Sequence, residues 1–294
     1  MTRRWPATVT FGAIALAVMG LTFGDAAEAK SSTVSSVTVK TLAQGHVNSL
    51  QPGKIYLSIL DFSQLPGADF GPHSHQPSIV YTLRGVDTIS FQAGGSQSVG
   101  PGSAAFIPGL VVHTHQNPDG RIGTDAIAAG LIVLALLLCA ATWLRGASRR
   151  GAIVVLSVLL VAGGTVPLIR ATANDYYLFA VRPEVQRTGA MPRPDARVFY
   201  AAPDMDPVPA GPYLETLREI SVPAGASYVT PDTLGPQMIV VLAGTAVVHL
   251  GDQTTQLGSG GAASAQAGQT MAIVDSGGGT LRVLDFDVTS VSAT

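Results

Sequence analysis

Four of the six histidines lie in two closely spaced pairs. His73 and His75 form one pair, His113 and His115 the other, each with one residue between its members. On a β-strand this spacing places both side chains on one face, so each pair can direct two imidazoles at a single ion. Imidazole suits zinc, copper, iron and nickel, and three such ligands with an open position are a known catalytic arrangement. The pairs predict a metal site; the alternative is that these histidines only form hydrogen bonds at a surface.

Other motifs that carry chemistry are absent from the sequence. There is no Gly-x-Ser-x-Gly elbow, no Gly-x-x-x-x-Gly-Lys phosphate loop and no His-Glu-x-x-His helix motif. The single cysteine, Cys139, lies in an apolar run, so neither a disulfide nor a cysteine-based zinc site can form within one chain. The net charge of −2 provides no basic field for a phosphate backbone. Nucleic acid is therefore not an expected partner.

The segments around the histidines have the composition of short strands. Residues 79–83, 88–91 and 103–107 are rich in branched and aromatic side chains, with Gly or Pro between them. Short strands at this spacing favour a β-sandwich or a small barrel.

An internal repeat relates the two halves of the chain. Tyr81-Thr82-Leu83-Arg84-Gly85 aligns with Val240-Val241-Leu242-Ala243-Gly244, and the same offset relates Pro72 to Pro231 and Gly102 to Gly261. This predicts a duplicated domain. At that offset the second copy has Asp232, Leu234 and Ala272 in place of His73, His75 and His113. We therefore expect that the second copy does not hold the same metal.

Two motifs around the histidines resemble those of the cupin superfamily. Gly67, His73-Ser74-His75 and Gly85 match the first motif, and Gly102, Pro108, His113 and Asn117 match the second. The chain departs from the pattern in two ways. Gly109 follows Pro108 directly, where the family has its glycine one residue later, and no glutamate stands at the usual ligand position, which falls on Ser78, Ile79 or Val80. The resemblance covers about residues 50–117, and residues 220–290 as a degenerate second copy.

The resemblance implies all-β jelly-roll barrels in which His73, His75 and His113 are the ligands of a divalent transition metal. The metal would be Fe, Mn, Zn, Cu or Ni. His115 is either a fourth ligand or a residue of the barrel mouth, and Gln76 and Tyr81 are candidates for the pocket wall. Because a site without glutamate leaves the ion with its full charge, a water or an anionic ligand is favoured there.

Apolar segments predict membrane association. The chain is 47% hydrophobic and only 12% charged, against roughly 25% charged in an average soluble domain. Residues 1–29 are typical of an export signal, cleaved or retained as an anchor. Residues 126–144 and 152–169 lack charged residues, and three arginines lie between them. These runs predict a transmembrane helical hairpin at 124–170 with a cytoplasmic connection; the alternative is a pair of buried helices.

This topology places both barrels on the extracytoplasmic side of a multi-pass protein of the cell membrane. The first copy lacks a closing strand before the hairpin, and residues 175–181 have strand composition. We therefore expect residues 30–122 plus about 174–183 to form the first barrel and 184–294 the second. The alternative is that 175–181 begins the second domain.

Three functions fit these observations. The first is a membrane-anchored extracytoplasmic cupin protein that binds a divalent metal and recognises a small molecule or anion. The second is a metal-dependent enzyme, dioxygenase- or isomerase-like, acting on a small extracytoplasmic substrate. The third is a structural bicupin with a vestigial site. Fold alone does not choose among them. The expected partners are the membrane and a small-molecule or anionic ligand, and the oligomeric state stays open.

Overall fold

The structure is a computed structural model that describes residues 36–50, 53–118, 130–135, 173–187, 196–208, 211–232 and 235–291. The first half of the described chain forms the strands β1 (Thr38–Val47), β2 (Ile55–Gln64), β3 (Asp69–His73), β4 (Ser78–Arg84), β5 (Asp87–Phe91), β6 (Ser96–Val99), β7 (Ala104–Ile107), β8 (His113–Gln116) and β9 (Asn174–Pro183). The second half forms β10 (Ala196–Ala201), β11 (Tyr213–Val222), β12 (Ser227–Val229), β13 (Gln237–Ala243), β14 (Ala246–Leu250), β15 (Gln253–Leu257), β16 (Ala262–Ala265), β17 (Ala272–Asp275) and β18 (Leu281–Ser290).

The strands build two barrels of the same design. In the first, the sheet β10-β2-β9-β4-β7 faces the sheet β3-β8-β5-β6. In the second, β1-β11-β18-β13-β16 faces β12-β17-β14-β15. Each barrel has its own apolar interior, which includes Phe70 and Ile89 in the first and Ile239 and Ile273 in the second. The expected all-β architecture in two copies agrees with this arrangement.

The two five-stranded sheets are covered on both faces. One face lines a barrel, and the other belongs to a shared core that contains Leu57 and Phe179 from the first barrel and Leu217 and Phe286 from the second. The rings of Phe179 and Phe286 lie 5.7 Å apart. A strand buried on both faces lacks an exposed alternate position, and the first six residues of β2 are accordingly all buried. β15 is an edge strand of the second four-stranded sheet, and it is exposed almost throughout.

Each barrel is completed by a strand from the other half of the chain. β1 precedes the first barrel in sequence but pairs with β11 of the second. β10 follows β9 and pairs with β2 of the first barrel. At Gly45 of β1, a Cβ atom would overlap the ring of Phe106 on β7. The sequence analysis did not anticipate this exchange.

β9 lies in the centre of the first five-stranded sheet. Phe179 pairs with Ile59 of β2 on one side and with Ile79 of β4 on the other. The strand that we expected to close the first barrel is therefore the common neighbour of β2 and β4.

The prediction of a two-helix transmembrane hairpin at 124–170 is wrong for the part of the chain that the structure describes. No helix among those residues is long and apolar enough to cross a membrane. The described part of this segment is helical at residues 130–135, which rise only about 9 Å, against the roughly 30 Å of a hydrocarbon core. The multi-pass membrane localisation is accordingly not retained. The rest of 124–170, and the predicted signal or anchor at 1–29, lie outside the described residues.

Candidate metal centre

Three of the four histidines lie on two paired strands of the first barrel. His113 and His115 occupy alternate positions of β8, and both are buried. His73 is the last residue of β3 and pairs directly with His113. A register shift between Phe70 and His73 turns the end of β3 towards β8. The i, i+2 spacing thus places the second pair on one face, as a strand requires.

His75 reaches the same point from a loop, because β3 ends at His73. The loop is held against the segment before β8: the Leu110 amide donates to the His75 carbonyl at 2.9 Å. Gly109 allows this approach, since a Cβ atom there would lie 2.6 Å from Cδ of Pro77. Our premise that His73 and His75 share a strand is therefore wrong, although both side chains reach the cluster.

One ring nitrogen from each of His73, His75, His113 and His115 lies within 4.8 Å of the others. We refer to these four residues as the four-histidine cluster. Nε2 of His75 and Nε2 of His113 are 3.1 Å apart. For metal–nitrogen bonds of about 2.0–2.1 Å, that separation corresponds to an angle of roughly 100° at the ion. Two such bonds span at most about 4.2 Å, when they are collinear, so a pair 4.8 Å apart must close by at least roughly half an ångström.

The other nitrogen of each ring is engaged by an oxygen acceptor. Nδ1 of His73 donates to the Gly71 carbonyl at 2.9 Å, and Nδ1 of His75 donates to the Gln76 carbonyl at 2.6 Å. Nδ1 of His113 donates to the Val111 carbonyl at 2.8 Å. A carbonyl oxygen has no proton to give, so Nδ1 must carry the hydrogen and Nε2 must carry the lone pair. This is the tautomer that binds a metal through Nε2.

Asp87 supplies the fourth acceptor. Its Oδ2 receives the hydrogen bond from Nδ1 of His115 at 2.7 Å, and both side chains are buried. A carboxylate behind a ligating histidine raises the basicity of the ring and fixes its orientation. Sequence reasoning missed Asp87, whose only signal was a carboxylate at the start of an apolar strand.

Burial also keeps the imidazoles of His75 and His113 neutral. Desolvation lowers the pKa of His75, the hydrogen bond to Gln76 raises it and repulsion from the neighbouring histidines lowers it, so that the pKa is about 3. Desolvation likewise lowers the pKa of His113 to about 4. At neutral pH both rings therefore present lone pairs and not protons. Two lone pairs 3.1 Å apart repel each other unless a cation lies between them.

The departure from the Pro-x-Gly pattern has a visible structural effect. Leu110 stands where the family has its glycine, and its φ is +63°. Residues other than glycine rarely adopt this left-handed backbone conformation, and the backbone strain costs about 1–2 kcal/mol. Leu110 is also 78% exposed. The turn before β8 therefore contains a left-handed residue that is not glycine.

The residues at the position of the missing glutamate provide no metal ligand. Ser78 is fully buried and its hydroxyl has no hydrogen-bond partner, Ile79 lies in the core between the barrels, and Val80 lies in the interior of the first barrel. None of them joins the four-histidine cluster. His115 contributes the fourth nitrogen from β8, and the negative charge comes from Asp87 behind it.

A cavity of about 300 Å³ adjoins the cluster, and we call it the apolar cavity. Its lining includes His73, His75 and His115 together with apolar side chains, namely Leu60, Phe62, Phe70, Tyr176 and Leu178. A second cavity, of about 340 Å³, shares His75 and Leu178 with it and adds Gln76 and Leu110. Gln76 thus lies where we expected it, whereas Tyr81 packs in the core between the barrels. Ligands can reach three of the four histidines from the apolar cavity.

The second barrel has different chemistry at the corresponding place. β12 pairs with β17 so that Val229 lies opposite Ala272, as His73 lies opposite His113. Register thus assigns Val229, and not Asp232, to the place of His73; Asp232 is exposed, and Leu234 lies outside the described residues. Deeper in this barrel, Arg218 forms ion pairs with Asp285 and Asp287. The four-histidine cluster therefore has no counterpart among the described residues of the second barrel.

The chain matches several solved structures at low sequence identity. The protein AerE from Microcystis aeruginosa is 11% identical over 85% of this chain and 99% of its own, with a TM-score of 0.46. A cupin 2 conserved barrel domain protein from Leptotrichia buccalis is 10% identical over 84% of this chain and 89% of its own, with a TM-score of 0.39. The oxalate decarboxylase of Bacillus subtilis, described with Mn(II) centres, is 11% identical over 85% and 76%, with a TM-score of 0.46.

No family model matches the chain, and no curated protein matches it. The two β-barrels agree with the fold that the cupin resemblance implies, and the four-histidine cluster lies in the first of them. At such low identity the matches concern the fold and not the activity.

Proposed function

We propose that the first barrel binds one divalent transition metal ion through His73, His75, His113 and His115, and that this ion is the site at which a small molecule or anion is recognised. One observation carries the proposal: each of the four rings donates from Nδ1 to an oxygen, which leaves Nε2 as its ligand atom. Iron, manganese, zinc, copper and nickel are all candidates, and the donor set favours those that accept several imidazoles.

The ligand is expected to be anionic or easily polarised. Four neutral imidazoles leave the charge of a divalent ion uncompensated, and Asp87 is the nearest carboxylate in contact with the cluster. An ion that accepts five or six ligands keeps positions open beyond the four nitrogens. The apolar cavity is where a ligand could fill them, because three of the histidines line it.

The test is metal loading of the purified protein with Co²⁺, followed through its visible absorption and by elemental analysis. We expect about one ion per chain. His73→Ala, His75→Ala and His113→Ala should each weaken binding at least about a hundredfold, because water replaces a lost imidazole poorly. His115→Ala distinguishes a four-histidine site from a three-histidine site: Co²⁺ binding should be weakened in the first case and unchanged in the second. The exposed His46 and His249 are matched controls, and their alanine variants should load normally.

Equal Co²⁺ content in the wild type and in all four cluster variants would overturn the metal site. A loss confined to His115→Ala would show that the wrong histidines had been chosen as the principal ligands.

A metal-dependent enzyme is the second candidate, favoured by the cavity that opens onto the cluster. When bound, the metal would polarise or oxidise a substrate; the residues of this chain would hold it and exclude water. An enzyme would convert its substrate to a product, whereas a recognition module would only bind its ligand. Protein loaded with Fe²⁺ or Mn²⁺ is incubated with a panel of small organic anions and the products are analysed by mass spectrometry. Conversion that needs the metal and is lost in His75→Ala identifies an enzyme, whereas binding without conversion supports a recognition module.

A further inference from the structure

Arg182 differs from the other arginines that the structure describes. The other five each pair with a carboxylate: Arg84, Arg187, Arg197, Arg218 and Arg282. Arg182 makes no ion pair within the described part of the chain, although it is half-buried near the end of β9. It lines both the apolar cavity and the second cavity. A half-buried guanidinium that faces a cavity without a counter-ion is suited to an anion from outside the protein.

The charge around the cavity points in the same direction. On the proposed function, a divalent ion lies among neutral imidazoles, and Arg182 adds a further positive charge to the lining of the same cavity. Asp87 offsets only part of this charge, since it lies behind His115 and is not part of the cavity lining. An anion held in the cavity would interact favourably with both cations at low local polarity.

The walls limit what kind of anion can fit. Phe62, Phe70 and Tyr176 present aromatic surface, and Leu60 and Leu178 add branched apolar surface. Phe62 and Tyr176 are stacked with ring centres 5.0 Å apart, and Tyr176 stacks in turn on His115 at 5.4 Å. Such a wall favours an apolar body. One planar guanidinium fork matches one carboxylate, whereas a phosphate usually needs several donors.

We propose, on the basis of the metal site argued above, that the first barrel binds a small monocarboxylate with an aromatic or branched apolar body. The carboxylate pairs with Arg182, and the body packs on Phe62, Phe70 and Leu178. The volume of about 300 Å³ lies at the lower end of cavities that hold small-molecule ligands. This fits a body of about the size of one ring.

The test uses phenylacetate, acetate and benzyl alcohol as probes, with binding to the full chain measured by calorimetry with and without Co²⁺. Phenylacetate should bind best, because acetate lacks the apolar body and benzyl alcohol lacks the charge. Arg182→Gln should weaken phenylacetate binding by roughly 10–100-fold, the cost of losing a hydrogen bond to a charged group. Arg182→Lys should recover part of that loss. Co²⁺ affinity should not fall in either variant, because Arg182 is not a metal ligand.

Arg84→Gln and Arg187→Gln are the matched controls, since these arginines already have carboxylate partners, and they should bind phenylacetate normally. Unchanged phenylacetate binding in Arg182→Gln would overturn the proposal, as would equal binding of the three probes or no binding of phenylacetate at millimolar concentration. The proposed function can fail independently, through absent Co²⁺ binding. In that case phenylacetate binding to the metal-free protein, compared between wild type and Arg182→Gln, still decides the role of Arg182.

Discussion

Asp87 brings a negative charge to the four-histidine cluster without occupying a coordination position. Its contact with Nδ1 of His115 sets the tautomer of that ring. Asp87→Asn keeps the shape but removes the charge, so we expect divalent-metal affinity to fall about 10–100-fold while the fold persists. Competition against a chromogenic chelator measures the change. Asp232→Asn, at an exposed position of the second barrel, should have wild-type affinity; equal affinities for both variants would show that Asp87 does not support a ligand.

Leu110 carries backbone strain next to the same site. Because its φ of +63° suits glycine better than leucine, Leu110→Gly should raise the free energy of unfolding by about 1 kcal/mol, even after the larger entropy loss of glycine. Urea unfolding measures it. Leu65→Gly is the matched control, since Leu65 is also exposed but has a negative φ, and this variant should be no more stable than the wild type. A loss of stability in Leu110→Gly would mean that the leucine side chain makes a stabilising contact.

The histidine pairs and the Pro-Gly-Leu segment could be recognised in the sequence, because each consists of residues close together in the chain. Asp87 is not, since its role depends on β5 lying beside β8. The role of Arg182 could not be predicted from the sequence either, because it lies far from the histidines along the chain. The pairing of β9 with β2 and β4 brings it to the cavity that the histidines line. Local pattern specifies which residues can ligate, while strand order decides which residues support them.

Among the strands, β1 shows how closely the two barrels approach. Gly45 leaves room for the ring of Phe106 on β7. Gly45→Ala must displace that ring or the strand, and we expect a loss of about 1–3 kcal/mol in the free energy of unfolding. Gly100→Ala is the control, because nothing lies within 4 Å of a Cβ atom there and its φ is not positive, so it should change stability by at most about 0.5 kcal/mol. If both variants unfold at the same urea concentration, Gly45 is not a close-packed position.

The short strands and the duplication could be predicted because alternating residues and turn glycines repeat within each copy. Gly85 and Gly244 both have positive φ values, as do Gly102 and Gly260; the repeat therefore aligns Gly102 one residue earlier than Gly261. The exchange of β1 and β10 could not be predicted, since an edge strand has the same composition whichever sheet it joins.

At the scale of the whole molecule, the buried acid Glu215 links stability to pH. Glu215 shares a face of β11 with Tyr213 and Leu217 of the core between the barrels, and neither carboxylate oxygen has a hydrogen-bond partner. Desolvation raises its pKa from 4.5 to about 8. Below pH 4.5 the group is protonated in both the folded and the unfolded chain. Between pH 4.5 and 8 only the unfolded chain ionises, so the folded state loses stability as the pH rises.

Glu215→Gln removes that ionisation. We expect the variant to gain stability over the wild type progressively from about pH 4.5 to pH 8, reaching a few kcal/mol, and then to stay constant. Urea unfolding at successive pH values gives the difference, which cancels the contribution of the histidines in the cluster. Glu184→Gln, in a half-exposed pair with Arg187, should differ from the wild type by a small amount without this trend. A pH-independent difference between Glu215→Gln and the wild type would contradict the buried charge.

Because β1 pairs with a strand from the second half of the chain, it stays unpaired for part of the time that the chain is being synthesised. Gln44 of β1 bonds to Thr216 of β11, 172 residues further along the chain. At 5–20 residues per second, a ribosome takes roughly 10–30 s to make that stretch. Throughout that interval β1 has been made but its partner has not, and the N–H and C=O groups of an unpaired strand can pair with other chains. Slowing translation should therefore lengthen the exposure of β1 and lower the yield of folded protein, an effect that a chaperone holding the nascent chain would relieve.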